Sequence, residues 1–130
     1  MTMPIRYPLT VFYDASCPLC AGEMQLLKNR DHEARLELVD CSAADFDETV
    51  LAGVGIARAD LMTRIHARDA HGRWLLALDA LEAAYRAVGL ERAADFCGSP
   101  RLRPLLDRLY RWVASRRQVL ALMGVRPRVE

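Results

Sequence analysis

The 130-residue sequence predicts one α/β domain with a central mixed sheet flanked by helices and an extra helix at the C-terminal end. Three observations predict it. The strand-like run Leu9-Thr10-Val11-Phe12-Tyr13 is followed by an amphipathic run from Pro18 to Arg30 and a second apolar run from Arg35 to Asp40. That succession is a β-α-β unit whose strands lie parallel through a right-handed crossover. Two later runs, residues 63–69 and 73–78, are separated by Ala70-His71-Gly72 and read as a β-hairpin. Helical stripes complete the chain, one through Leu81, Ala84, Tyr85 and Val88 and one through Leu102, Leu105, Leu106, Leu109 and Val113.

Each element follows from local chemistry. Proline is favoured at the first helical position, where its missing N–H costs nothing, so Pro18 opens the first helix and makes Cys17 its N-cap. Leu19, Met24, Leu26 and Leu27 supply its apolar face, and Lys28 and Arg30 suit its C-terminal end. Residues 42–51 read as a short helix ended by Gly53, and residues 57–62 as a further turn. Asp79, with Glu82 three residues on, is placed to cap the next helix, and Gly89 is placed to end it. Residues 94–100, containing Cys97, Gly98 and Ser99, read as a loop before a last helix starting near Leu102 or Pro104. The order is β-α-β-α-β-β-α plus a C-terminal helix: a core over about residues 8–90 and a helical extension over about 91–130, within the single domain 1–130.

Composition excludes several function classes. Eighteen basic side chains against 17 acidic ones leave a net charge of +1, and 7% aromatic residues offer no stacking platform, which disfavours nucleic acid as a partner. Residues 1–8 lack an apolar stretch of signal-peptide length, and no run of about 18 uncharged apolar residues occurs. The expectation is a soluble, cytoplasmic protein. Eight arginines but only Asp107 and Glu130 lie between Arg101 and the C-terminus. This basic segment reads first as a solvated face and second as a surface that touches an anionic membrane or an acidic partner.

The chemistry concentrates at Cys17-Pro18-Leu19-Cys20. Two thiols at i and i+3 on the first helical turn are neighbours and can close a small disulfide. The sulfur of Cys17 is expected to face the free N–H groups of the helix end, a setting that stabilises a thiolate, which makes Cys17 the expected nucleophile. Cys20 shares a face with Met24 and Leu27, so it is expected to be the more buried, resolving thiol. Asp14 lies three residues before Cys17; its carboxylate either exchanges a proton with a thiol or ties the Asp-Ala-Ser loop through an Asx-turn. Cys41 and Cys97 read as packed thiols. A zinc site is the weaker reading, because His32, His66 and His71 do not form a second ligand pair, and His66 and His71 read as strand-face and turn residues.

The element order, with Cys-x-x-Cys after the first strand, resembles the thioredoxin fold. More narrowly, Tyr13-Asp14-Ala15-Ser16-Cys17-Pro18-Leu19-Cys20 with the following Glu23, the hairpin ending near Gly72, the Asp79-Ala80 helix start and the segment from Leu102 to Trp112 resemble the DCC family of thiol-disulfide oxidoreductases. The resemblance spans about Leu9 to Trp112. The aspartate and two cysteines that name the family correspond to Asp14, Cys17 and Cys20. It implies a thioredoxin-like fold and an oxidoreductase with Asp14, Cys17 and Cys20 in its site, and it does not supply a substrate. The expectation from the residues is dithiol-disulfide exchange at Cys17 and Cys20 without an organic cofactor or metal, acting on a protein or low-molecular-weight thiol or disulfide. One departure from thioredoxins is the missing cis-proline before the third strand, where a residue near Thr63 stands instead. A second reading is a non-catalytic thioredoxin-like binding module. In it Cys17 and Cys20 hold a soft metal or only pack, and the C-terminal helix engages a partner.

Overall fold

The computed structural model describes residues 4–115. Its elements run β1 (Leu9–Tyr13), α1 (Pro18–Asn29), β2 (Leu36–Asp40), a 3₁₀ turn (Glu48–Leu51), α2 (Arg58–Thr63), β3 (His66–Arg68), β4 (Trp74–Leu76), α3 (Leu78–Ala87), α4 (Glu91–Gly98) and α5 (Arg103–Ser115). The strands form one mixed sheet in the order β2-β1-β3-β4, with β1 parallel to β2 and antiparallel to β3, and β3 antiparallel to β4. The β-α-β unit and the hairpin thus meet at the β1–β3 pair.

Strand alternation sorts the core into two layers. Leu9 and Val11 of β1 point with Leu36, Ala67 and Leu75 toward Met24 and Leu27 of α1 and the alanines of α3. Phe12 points the other way, into a second cluster with Cys41, Leu51 and Leu61, and its ring stacks on Trp74 at 5.1 Å. Both faces of the sheet are therefore covered. His66 is buried with its Nδ1 2.9 Å from the Arg64 carbonyl, and the Arg68 guanidinium lies over the Phe12 and Trp74 rings.

Buried aspartates hold the connections. Asp31 closes the α1–β2 loop by accepting from the Arg35 and Leu36 N–H groups and from Lys28 Nζ. Asp69 closes the hairpin by accepting from the His71 and Arg73 N–H groups, with Gly72 at φ 84° completing the turn. Burial alone would raise both carboxyls, but these hydrogen bonds outweigh it and hold them below the usual carboxylate range.

Several elements depart from the sequence reading. Residues 42–51 form turns and a 3₁₀ turn instead of a helix, because Asp40 and Asp47 bind the N–H and hydroxyl groups two residues on, at Ser42 and Thr49. Asp79 sits inside the first turn of α3, not at its cap; Ala77, at φ 54°, takes the cap position. The buried face of α3 is Leu78, Ala80, Ala83, Ala84 and Ala87, which leaves Leu81 and Tyr85 only partly buried. Residues 94–98, read as loop, belong to α4, where Ala94 and Cys97 are buried. On α5 the inward residue is Leu106, whereas Leu105 and Leu109 are exposed. The tail arginines Arg116, Arg117, Arg126 and Arg128 lie outside the described residues.

Candidate functional site

Cys17 caps α1 in an extended conformation, with Pro18 in the first helical turn, as the sequence indicates. Its N–H donates to the Asp14 carbonyl at 3.1 Å and its carbonyl accepts from the Ala21 N–H at 2.9 Å, which joins the loop to the helix. The side chain itself makes no capping hydrogen bond. None of the four cysteines is in a disulfide.

The burial order of the two thiols is opposite to the expectation. Cys17 is 6% exposed, whereas Cys20 is only partly buried. The stripe Cys20–Met24–Leu27 does follow one face of α1, yet only Met24 and Leu27 reach the core over the sheet. One turn nearer the helix start, Cys20 instead lines a cavity of about 320 Å³. Asp14, Leu19 and Glu23 share that lining from the α1 side, Arg64 and Ile65 from the entry to β3, and Tyr85, Tyr110 and Val113 from α3 and α5.

Asp14 makes the loop-tying interaction. Its Oδ1 accepts from the Ser16 N–H at 2.9 Å and from the Ser16 hydroxyl, an Asx-turn that fixes the two residues before Cys17. A second carboxylate braces the same loop. Asp40, at the end of β2, accepts from the Ala15 N–H at 3.0 Å as well as from Ser42. Burial pushes its carboxyl up, but these hydrogen bonds and the Arg58 charge outweigh that and hold it below the ordinary value.

The sequence names Glu23 only within the family motif and Tyr85 only within a helical stripe, and it gives no site role to these two, to Asp40 or to Tyr110. Tyr85 donates its hydroxyl to Glu23, one turn after Cys20; burial, then this bond, pushes the phenol well above its ordinary value. Tyr110 accepts from the Ile65 N–H through its hydroxyl oxygen at 2.9 Å. These partners are far apart in the chain, so no local pattern could pair them. Glu23, three residues after Cys20 in the family motif, is the one available signal.

Cys41 and Cys97 are buried. Burial, reinforced by the Asp40 charge, pushes the Cys41 thiol up to about 12, and its sulfur lies 3.9 Å from the Val39 carbonyl. Burial and then Glu82 push the Cys97 thiol up as well. Among the described residues no three His, Cys, Asp or Glu side chains are grouped to hold a metal ion, and no helix is long and apolar enough to cross a membrane.

A β2-β1-β3-β4 mixed sheet with a Cys-x-x-Cys at the first turn of the helix after β1 defines a thioredoxin-like protein. Within that class, residues 11–122 match the DCC1-like thiol-disulfide oxidoreductase family, and the chain belongs to it. The chain is also 27% identical over 129 residues to a protein of Arabidopsis thaliana named "Uncharacterized protein At5g50100, chloroplastic". That similarity covers 98% of this chain and 58% of the relative's length. No solved structure matches the chain.

Proposed function

We propose that this protein is a thiol-disulfide oxidoreductase in which Cys17 and Cys20 alternate between dithiol and disulfide. The observation that carries this reading is the position of the pair across the first turn of α1, with Cys20 open to a cavity and Cys17 buried beside it. The membership in a family named for the activity supports it.

We assign the roles from access to the cavity, with Cys20 first and Cys17 second, the reverse of the order expected from the sequence. A substrate disulfide RSSR meets Cys20 first: the Cys20 thiolate attacks one sulfur, the S–S bond breaks, and RS⁻ leaves and takes up a proton. Cys17, having lost its own proton, then attacks the Cys20 sulfur of the mixed disulfide, and the second RS⁻ leaves. Two protein thiols are oxidised to one disulfide, and one RSSR is reduced to two RSH. In the reverse direction an incoming thiolate attacks Cys20, and Cys17 departs at the N-terminal end of α1, where backbone N–H groups and the helix dipole accommodate negative charge. Asp14 and Asp40 are positioning residues that hold the loop carrying Cys17.

Single-cysteine variants test this. Incubated with bis(2-hydroxyethyl) disulfide, Cys17→Ser should accumulate a stable mixed disulfide on Cys20, while wild type should pass through it to the Cys17–Cys20 disulfide. Cys20→Ser should accumulate less adduct, on Cys17. No adduct on either residue, in protein shown folded by circular dichroism, would overturn the reading.

A further inference from the structure

We propose that the cavity beside Cys20 admits compact apolar thiols and disulfides and rejects extended polypeptide disulfides. This rests on the exchange reading above and names its substrate class. An extended chain docks beside a reactive sulfur by pairing its backbone with unsatisfied N–H and C=O groups of the host. In the backbone flanking this cavity, at Arg64 and Ile65, all four N–H and C=O groups already have a partner. The Arg64 N–H donates to the Asp60 carbonyl at 3.2 Å, and the Arg64 carbonyl lies 2.9 Å from His66 Nδ1. The Ile65 carbonyl accepts from the Ala77 N–H at 2.9 Å, and the Ile65 N–H is taken by the Tyr110 hydroxyl, also at 2.9 Å.

The Arg64 N–H is satisfied by α2, the Arg64 carbonyl by β3, the Ile65 carbonyl by Ala77 after β4, and the Ile65 N–H by α5. Helix α5 is fastened in that position. Its first residue, Arg103, pairs with Asp79 at 2.8 Å and Glu82 at 3.5 Å on α3, and Leu106 is buried one turn on. Tyr110 and Val113, the residues that line the cavity, follow on the same face at four and seven residues from Leu106. The remaining space, about 320 Å³, is lined mainly by leucine, isoleucine, methionine, valine and tyrosine rings. A compact apolar molecule fills such a site without needing backbone pairing.

The test uses Cys17→Ser, whose Cys20 reacts once, so its result does not depend on turnover by the pair. Two reagents share a leaving group: ethyl 2-pyridyl disulfide, and the 2-pyridyl disulfide of an unstructured ten-residue cysteinyl peptide. In each, the Cys20 thiolate displaces 2-thiopyridone from the alkyl sulfur and forms a mixed disulfide; peptide mapping assigns the adduct. Relative to the rate ratio measured in urea-unfolded protein, the folded protein should favour the ethyl reagent by about tenfold or more, the scale set by one or two hydrogen bonds denied to an incoming chain. Tyr110→Ala should reduce that preference to within about threefold by opening the wall. Tyr110→Phe, which keeps the ring but frees the Ile65 N–H, should raise the peptide rate alone by a few-fold. A folded-state preference equal to that of unfolded protein, or one unchanged in both Tyr110 variants, would overturn the proposal. If the preference appears but wild type never forms the Cys17–Cys20 disulfide, the exchange reading fails and the access inference stands.

Discussion

The β1–α1–β2 unit and the α3–α4–α5 layer do different things for the same site. The first carries both thiols on one continuous segment, held by Pro18 at the helix start, by the Asx-turn at Asp14, and by one longer-range bond from the Ala15 N–H to Asp40 at the end of β2. The second contributes the far wall of the cavity through residues distant in sequence, and charged contacts tie it together. Arg86 of α3 reaches Glu82, Glu91 and Asp95, while Arg103 of α5 reaches back to α3. The lesson is a separation of tasks, with reactive groups encoded locally and access to them encoded by tertiary packing.

Substitutions in the two regions should differ in scale. Leu27 is fully buried under the sheet, so Leu27→Ala should destabilise the protein by about 2–5 kcal/mol in urea titration, through lost burial and a residual cavity. A loss below about 1 kcal/mol would break the picture of a rigid thiol-bearing unit. Next in size is Asp69→Asn, which weakens hydrogen bonds from three backbone N–H groups, those of Arg6, His71 and Arg73. A cost of about 2 kcal/mol at neutral pH is expected.

That second substitution also sharpens a pH prediction. Asp31, Asp40 and Asp69 all have folded-state values below the unfolded value of about 3.9. Their contribution is therefore fully present above the unfolded value and is lost as pH falls through the lower folded values. Stability should hold from neutral pH to about pH 5 and fall below about pH 4, and Asp69→Asn should make that fall shallower. A stability curve that falls as steeply in the variant as in wild type would contradict the assignment.

Effects in the second region should be smaller. Tyr110→Phe should cost about 1 kcal/mol, the usual net worth of one hydrogen bond, while leaving the sheet intact. Smallest of all is Arg103→Gln: its partner Asp79 is well exposed, so a change under about 1 kcal/mol that shrinks further in high salt is expected. A large, salt-independent loss would show that α5 is part of the core and not a fastened wall.

The same separation explains what was legible in the sequence. Strand β1, helix α1, strand β2 and the hairpin follow from alternation, Pro18 and Gly72, all signals within a few residues of the element they define. Helix α4 was hidden because Cys97-Gly98-Ser99-Pro100 has the composition of a turn. In the fold Gly98 ends the helix against α3, where an added Cβ would lie 2.7 Å from the Glu82 carboxylate. Asp79 has the sequence of a cap, but it lies inside α3 and pairs with Arg103, 24 residues away. The exposure of Cys20 was misjudged for a related reason. Helical spacing correctly grouped it with Met24 and Leu27, but spacing cannot say where the sheet beneath a helix ends and a cavity begins. Glu23 with Tyr85, and Ile65 with Tyr110, join residues 62 and 45 positions apart, beyond the reach of any local pattern.

The central claim is that Cys17 and Cys20 form one redox couple. The protein equilibrated in glutathione buffers of graded oxidation state, quenched by alkylation and mapped by mass spectrometry, measures this directly. The expected result is a single two-electron transition that links Cys17 to Cys20 while Cys41 and Cys97, both buried, remain thiols across the series. Cys17 joined to Cys41 or Cys97 in the folded monomer, or a Cys17–Cys20 pair that stays reduced at the most oxidising ratio, would contradict it.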